Sequence, residues 1–268
     1  MADVAHRPGG VWPRSAGRIC LSAGAWLPVL DRLSARDSES AVSLTFDDGP
    51  SVTTDALLDM LASHGAIATF FILGQRIEAN PGAIEQMVAR GHTIYAHGYT
   101  HRRFTQLAFG EIVRELEETE RLLSRFRPTP SPYLVRLPHG SGSDHPRIHR
   151  ALRKWNPDCQ IARWTISTQD YELGGFPDAA AADREIDRRV LQLVDNQWIA
   201  RSIILLHEDP FGITEASAAS RSLKMATKVV QGLASRGYEM VALKPVQRQA
   251  ILSRFAREHR DELQLGYV

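Results

Sequence analysis

The stretch "AVSLTFDDGPSVTTDALLDMLASHG" (41–65) decides the fold of this 268-residue chain. Its opening run, "AVSLTF", is short and apolar with β-branched and aromatic members, as a strand buried on both faces should be. Asp47-Asp48-Gly49-Pro50 then ends it, because Asp-Gly is a turn signal and a Pro after Gly stops a strand. "TTDALLDMLASHG" (53–65) opens on Thr and Asp, which cap, and closes on Gly, so it reads as a helix. Strand, turn and helix in that order form one unit of a parallel α/β fold. The same stretch poses a chemical question: Asp47 and Asp48 are either turn formers or a reaction centre.

The alternation continues. Further strand candidates are "IATFFIL" (67–73), "HTIYAH" (92–97), "YLVRL" (133–137), "CQIARWTI" (159–166), "SIILLH" (202–207) and "YEMVAL" (238–243). Helical patterns fall at 81–91, 110–126, 178–198 and 215–235, the first with Pro at its start and Gly at its stop. The basic stretch "HPRIHRALRK" (145–154) reads as the solvated face of a helix. About seven strand-helix units predict a parallel α/β fold, most simply a barrel in one domain, with function at the C-terminal ends of the strands.

Composition sets limits. The formal charge of +1 gives no basic footprint for nucleic acid. No apolar run is long enough for an integral membrane span. Cys20 and Cys159 have neither metal spacing nor the number for a disulfide framework. "ICLSAGAWLPVL" (19–30) has the length of an export-signal core, but Gly24 and Pro28 interrupt it and Asp31-Arg32 follow at once, so the expected location is cytoplasmic. Nothing in the sequence sets the oligomeric state.

Polar residues gather at the strand ends: Asp47 and Asp48, then His97 and His101 in "HGYTH", Arg136 and His139 in "RLPHG", Asp170 and Tyr171 in "STQDY", and His207. Histidines four apart can present two imidazoles to one ion from a helical turn. With an Asp from another strand they make two His and one carboxylate, which suits catalytic zinc or a non-haem iron. Asp47–Asp48 lacks the ligand pattern of an EF-hand. Adjacent residues at a strand end diverge, which disfavours a facing glycosidase pair and favours separate jobs for the two carboxylates.

"TFDDGP", "HGYTH", "RLPHG", "TQDY" and "ILLH", in that order, resemble the NodB-like polysaccharide deacetylases of carbohydrate esterase family four. The resemblance implies an irregular (β/α)7-type barrel, a single NodB homology domain over 41–243. A leader with a short extra segment (1–40) and a helical tail (244–268) lie outside it. It implies one divalent metal, zinc with cobalt or nickel as alternatives, and hydrolysis of N-acetyl groups on a carbohydrate such as chitin oligomers or peptidoglycan. Carried over by position, Asp48, His97 and His101 are the ligands and Asp47 the general base held by Arg136. His207 is the general acid tuned by Asp170. The N–H of His139 belongs to an oxyanion hole, and His139, Tyr171, Pro138 and Leu205 line the substrate site.

Amide hydrolysis needs these parts. Water is a poor nucleophile, the tetrahedral oxyanion needs a positive partner and an N–H, and the amine must leave protonated. The chain departs from the family at Gly98 (usually Ser or Thr), Arg102 (Pro), His139 (Tyr), Ser167 (Asp) and Tyr171 (Trp). These leave ligands, base and acid in place and bear on substrate preference. The alternative is a catalytically weak or inactive glycan-binding member of the fold; intact Asp47 and His207 speak for the enzyme.

Overall fold

In the computed structural model, residues 26–209 and 216–246 are described; residues 1–25 of the expected N-terminal segment (1–40) and nearly all of the expected tail lie outside them. Chain order is β1 (Val29–Leu30), β2 (Ala41–Gly49), α1 (Thr54–Ser63), β3 (Ala68–Ile72), α2 (Gly74–Ala79), α3 (Pro81–Ala89), β4 (Thr93–Ala96) and α4 (Phe109–Leu123). Then come β5 (Tyr133–Val135), α5 (Pro146–Trp155), β6 (Cys159–Ala162), β7 (Ile166–Ser167), α6 (Ala179–Val194), β8 (Ile203–His207), α7 (Ala216–Ala234) and β9 (Glu239–Met240). Among the described residues no helix is long and apolar enough to cross a membrane.

Strands β2 to β8 form the wall of an irregular parallel barrel, hydrogen-bonded in two runs. One has the order β4-β3-β2-β8-β7, the other β1-β6-β5. β2 is central and every one of its residues is buried, which explains its near-continuous apolar sequence. Phe46 and Phe70 stack across the β2–β3 pair, with ring centroids 5.3 Å apart.

Side chains bridge the two interruptions in the ladder. Between β4 and β5, Tyr133 Oη accepts the Ala96 N–H (3.0 Å) and Arg127 Nε donates to the Ile94 carbonyl (3.3 Å). Glu120 on α4 holds both bridging groups, accepting from Tyr133 Oη at 2.6 Å and from Arg127 Nη1 at 2.6 Å. Near the β6–β7 break, Arg136 donates to the carbonyls of Ala162 (3.3 Å) and Arg163 (2.9 Å). Buried backbone groups left unpaired would each cost roughly 1–3 kcal/mol, so these arginines and this tyrosine do what a ladder does elsewhere.

The structure differs from the sequence reading in several places. "CQIARWTI" is broken into β6 and β7, because β6 pairs with β5 and β1 whereas β7 pairs with β8. "YEMVAL" supplies only β9, paired with the start of β2 off the barrel path. The segment before 41 contributes β1 to the second sheet and buries Leu27, Leu30 and Leu33. In α5 the helix is present, but Ile148, His149, Ala151 and Leu152 are buried. His149, read as a surface residue, accepts the Leu27 N–H at Nδ1 (3.0 Å) and meets the Ser143 carbonyl at Nε2 (2.8 Å). His92 is buried as well, and its Nδ1 accepts the Ala68 N–H (3.1 Å). Cys159 is buried without a disulfide, its thiol pushed up to about 12 by burial.

Candidate active site

The carboxylates come from the end of β2. Its register with β3 runs from Asp47↔Phe71 directly to Gly49↔Ile72, so Asp48 is the extra residue of a β-bulge. Asp48 has φ 68°, the left-handed region. In an unbroken strand the two carboxylates would face opposite ways. The bulge brings both to one imidazole: His97 Nε2 lies 3.6 Å from Asp47 Oδ2 and 3.5 Å from Asp48 Oδ1. The expected divergence of adjacent residues is therefore corrected by the bulge, yet the two carboxylates still have different partners. Arg136 Nη1 donates to Asp47 Oδ1 at 2.8 Å and to Thr45 Oγ1 at 2.7 Å. Asp48 Oδ1 is 3.1 Å from His101 Nε2.

Arg136, at the end of β5, is fully buried and lies 4.1 Å from the centroid of the Phe71 ring. An ion pair of this kind brings little net stability. Deleting one partner strands the other charge, at a cost of about 3–5 kcal/mol.

The histidines follow β4. His97 and His101 do not sit on a helical turn: residues 97–103 contain no helix, and Gly98 (φ 83°) and His101 (φ 61°) are both left-handed. His97 Nδ1 meets the Arg136 carbonyl at 2.9 Å, so it carries the proton and Nε2 keeps its lone pair toward Asp48. Burial lowers the pKa of His97 to about 3. Burial, with His97 and His139 nearby, lowers that of His101 to about 2. Donor atoms of Asp48, His97 and His101 all lie within 4.8 Å of one another. Donors about 2.0–2.1 Å from a tetrahedral ion stand about 3.4 Å apart, so this set of two neutral imidazoles and one carboxylate fits a divalent metal.

On the neighbouring strand, at the end of β8 where His207 is in register with Asp47, His207 Nδ1 donates to Asp170 Oδ1 (2.8 Å), and the His207 backbone N–H donates to Oδ2 (2.7 Å). Burial alone would lower the His207 pKa. The charge and hydrogen bond of Asp170, with Asp48 and Asp47 behind them, raise it to about 9. Asp170 opens a 3-10 turn, Asp170–Gly175, held from outside by two arginines. Arg189 of α6 donates to the Thr168 carbonyl (3.2 Å) and Arg221 of α7 to the Leu173 carbonyl (2.6 Å).

Of the remaining expected residues, Tyr171 and His139 are exposed at the rim, whereas Pro138 and Leu205 are buried. Tyr171 is 42 % exposed and sits edge-on to His207, with ring centroids 5.6 Å apart. His139 is exposed with φ 57°, its ring 4.3 Å from that of His101 and its Nε2 3.2 Å from the His101 carbonyl. Pro138 is buried at the start of the same turn, and Leu205 is buried two residues before His207 on β8. Asp48, His101 and His139 are non-glycine residues in the left-handed region, each at a cost of order 1–3 kcal/mol, and all three stand at this one mouth.

Two glutamates escaped the sequence reading. Glu208, after His207, is buried, and its Oε2 accepts from Thr54 Oγ1. Its carboxylate also packs directly against Gly49, where an added Cβ would displace it. Burial raises the Glu208 pKa to about 7. Glu115 of α4 supports the histidine segment. Its signal was present in the sequence: a carboxylate in the helical face otherwise formed by Ile112, Leu116, Thr119 and Leu123.

Comparison with known proteins gives the family and the fold. The polysaccharide deacetylase family profile matches residues 34–155. A peptidoglycan-N-acetylglucosamine deacetylase of Bacillus cereus is 32% identical over 202 residues, covering 74% of this chain and 67% of that protein. A chitooligosaccharide deacetylase of Sinorhizobium fredii is 30% identical over 203 residues, 74% of this chain and 87% of that one. Among solved structures, the family 4 carbohydrate esterase of Streptomyces lividans superposes with TM-score 0.61 at 26% identity, covering 76% of this chain and 93% of that one.

Proposed function

The chain belongs to the polysaccharide deacetylase family, and from that premise we propose that it removes N-acetyl groups from an N-acetylated glycan with the help of a divalent metal. The candidate substrates are a peptidoglycan strand and a chitin-type oligosaccharide, the classes named for its relatives. The observation that carries the reading is two oriented dyads beside the donor cluster, Asp47–Arg136 and His207–Asp170, with Asp47 and His207 in register on neighbouring strands.

Asp48, His97 and His101 would hold the metal, zinc by donor chemistry, with cobalt or nickel as substitutes. Such an ion supplies polarisation of the acetamide carbonyl and acidification of water. Asp47 takes the proton of the attacking water. Arg136 fixes the rotamer of that carboxylate, since one oxygen is engaged by the guanidinium and the other faces His97. The His139 backbone N–H is assigned to the oxyanion. His207 gives its proton to the departing amine from Nε2, because Nδ1 is engaged by Asp170. Without that proton the leaving group would be an amide anion.

The test is acetate release from a panel of N-acetylated glycans by metal-loaded and chelator-stripped protein, with metal content measured in each. Release that depends on metal supports the reading. Glycan binding without release at any metal loading would leave the binding-protein alternative in its place.

A further inference from the structure

The two histidines are four residues apart, but no helix sets their separation. What sets it is visible on both polar edges of the intervening segment. Its carbonyls are taken by α2: the Gly74 N–H donates to the Gly98 carbonyl (3.1 Å) and the Gln75 N–H to the Tyr99 carbonyl (3.2 Å). Its amides are taken by one carboxylate. The Tyr99 and Thr100 N–H groups donate to Glu115 Oε2 at 2.7 and 2.8 Å, and Thr100 Oγ1 donates to Glu115 Oε1 at 2.6 Å. Glu115 is itself buried, and Thr119 on the next turn of α4 donates from Oγ1 to the Glu115 carbonyl (2.7 Å).

We infer that Glu115 is a positioning residue of the metal site, holding the 98–100 segment so that His97 and His101 converge on Asp48. The inference rests on the metal reading above. The segment has a left-handed residue at each end, Gly98 and His101, and so no helical ladder of its own to hold it. The carboxylate replaces that ladder: two successive amides and a hydroxyl are tied to one rigid helix. Gly98 fits because a Cβ there would stand 3.3 Å from Phe104 and 3.4 Å from Glu115 Oε2. Phe104, Glu115 and α2 together constrain the segment. Charge is not the essential property. A glutamine could accept both amides at its oxygen and donate its NH₂ to Thr100 Oγ1. An alanine would leave two amides without an acceptor and the segment free to relax.

The experiment is titration of metal-free full-length protein with zinc alone against a chromophoric chelator, with thermal unfolding run in parallel. Wild-type protein that binds no zinc would overturn the metal reading itself. With that reading intact, Glu115→Ala is expected to bind zinc at least about 10-fold more weakly, as loss of an outer support of a metal ligand typically does. Glu115→Gln is expected to stay within a few-fold of wild type. Cobalt loaded in place of zinc should show an altered visible spectrum in Glu115→Ala and a native one in Glu115→Gln, a change that mere destabilisation would not produce. Folded Glu115→Ala with wild-type zinc affinity and cobalt spectrum overturns the inference, and so does a Glu115→Gln variant as weak as Glu115→Ala. If Glu115→Ala does not fold, Glu115→Asp carries the test. Its carboxylate is one methylene short of the amides, a several-fold loss is expected, and unchanged affinity overturns the inference.

Discussion

His97 and His207 stand on the same rim, both deeply set, and the protein drives them in opposite directions. Burial pulls each toward the neutral form, yet His97 sits at about 3 and His207 at about 9. The difference lies at Nδ1. For His97 the partner is the Arg136 carbonyl, a neutral acceptor that fixes the tautomer and leaves the ring uncharged. For His207 the partner is the Asp170 carboxylate, whose charge outweighs the loss of water around the ring. A neutral imidazole with a free lone pair is a ligand; a protonated one is a donor to a leaving group. The proposed ligand and the proposed acid thus draw on one residue type, set apart by what each Nδ1 meets and by the charges around the ring.

The largest break in this comparison is on the ligand side. His97→Ala is expected to lose bound zinc and, with it, detectable deacetylation, measured as metal content after gel filtration and acetate release. Stoichiometric zinc in that variant would take His97 out of the donor set. Next comes the neighbour that lies near the same ring but pairs with Arg136. Asp47→Asn should keep metal and lose turnover by about 10²–10⁴, the usual share of a general base, in a folded protein of lower thermal stability because Arg136 loses its charge partner. Loss of metal in Asp47→Asn would show that the two carboxylates do not divide the work as their partners suggest.

The two sides were unequally legible in the sequence. Asp47, Arg136, His97, His101 and His207 could be placed on one rim because each stands at or just beyond the end of a buried run, and parallel strands bring such ends together. The conformation at those ends was hidden. A two-residue period sends Asp47 and Asp48 apart, and only the bulge with φ 68° at Asp48 brings them back. The spacing of His97 and His101 suggested a helical turn, because spacing cannot report that Gly98 and His101 are left-handed. The break between β6 and β7 lay inside a continuous run, since pairing partners and not composition end those strands. Glu208 left no local signal at all: it is buried against Thr54 and Gly49, residues distant from it in the chain.

On the acid side the expected effect is a shift before it is a loss. His207 is protonated, and able to donate, below about pH 9, so kcat/KM should fall as pH rises through that value. Removing the Asp170 charge takes away the main force holding the proton. In Asp170→Asn the alkaline limb should move down by about 1–3 pH units, with a lower maximum rate. The measurement is kcat/KM against pH for both proteins at saturating metal. An alkaline limb that does not move would separate Asp170 from the acid and leave the 2.8 Å contact a structural one.

The smallest expected effect lies beside that same acid. Tyr171 is 42 % exposed and meets His207 edge-on, which in the proposed reading sets it beside the sugar. An aromatic wall selects by shape and contact area, and a change in one wall is worth about 1–3 kcal/mol in discrimination at most. Tyr171→Trp extends the ring and removes the hydroxyl. It should therefore change the ratios of kcat/KM among N-acetylated glycans of different size, while metal content stays at the wild-type level. The alkaline limb should also stay near pH 9, since Asp170 is untouched and the edge-on ring carries no charge to add or remove. If the ratios across a broad panel are unchanged, the glycan does not pass over Tyr171. If the limb moves instead, the ring acts on the acid and not on the substrate, and the division between an acid held from below by Asp170 and a wall beside it fails at this residue.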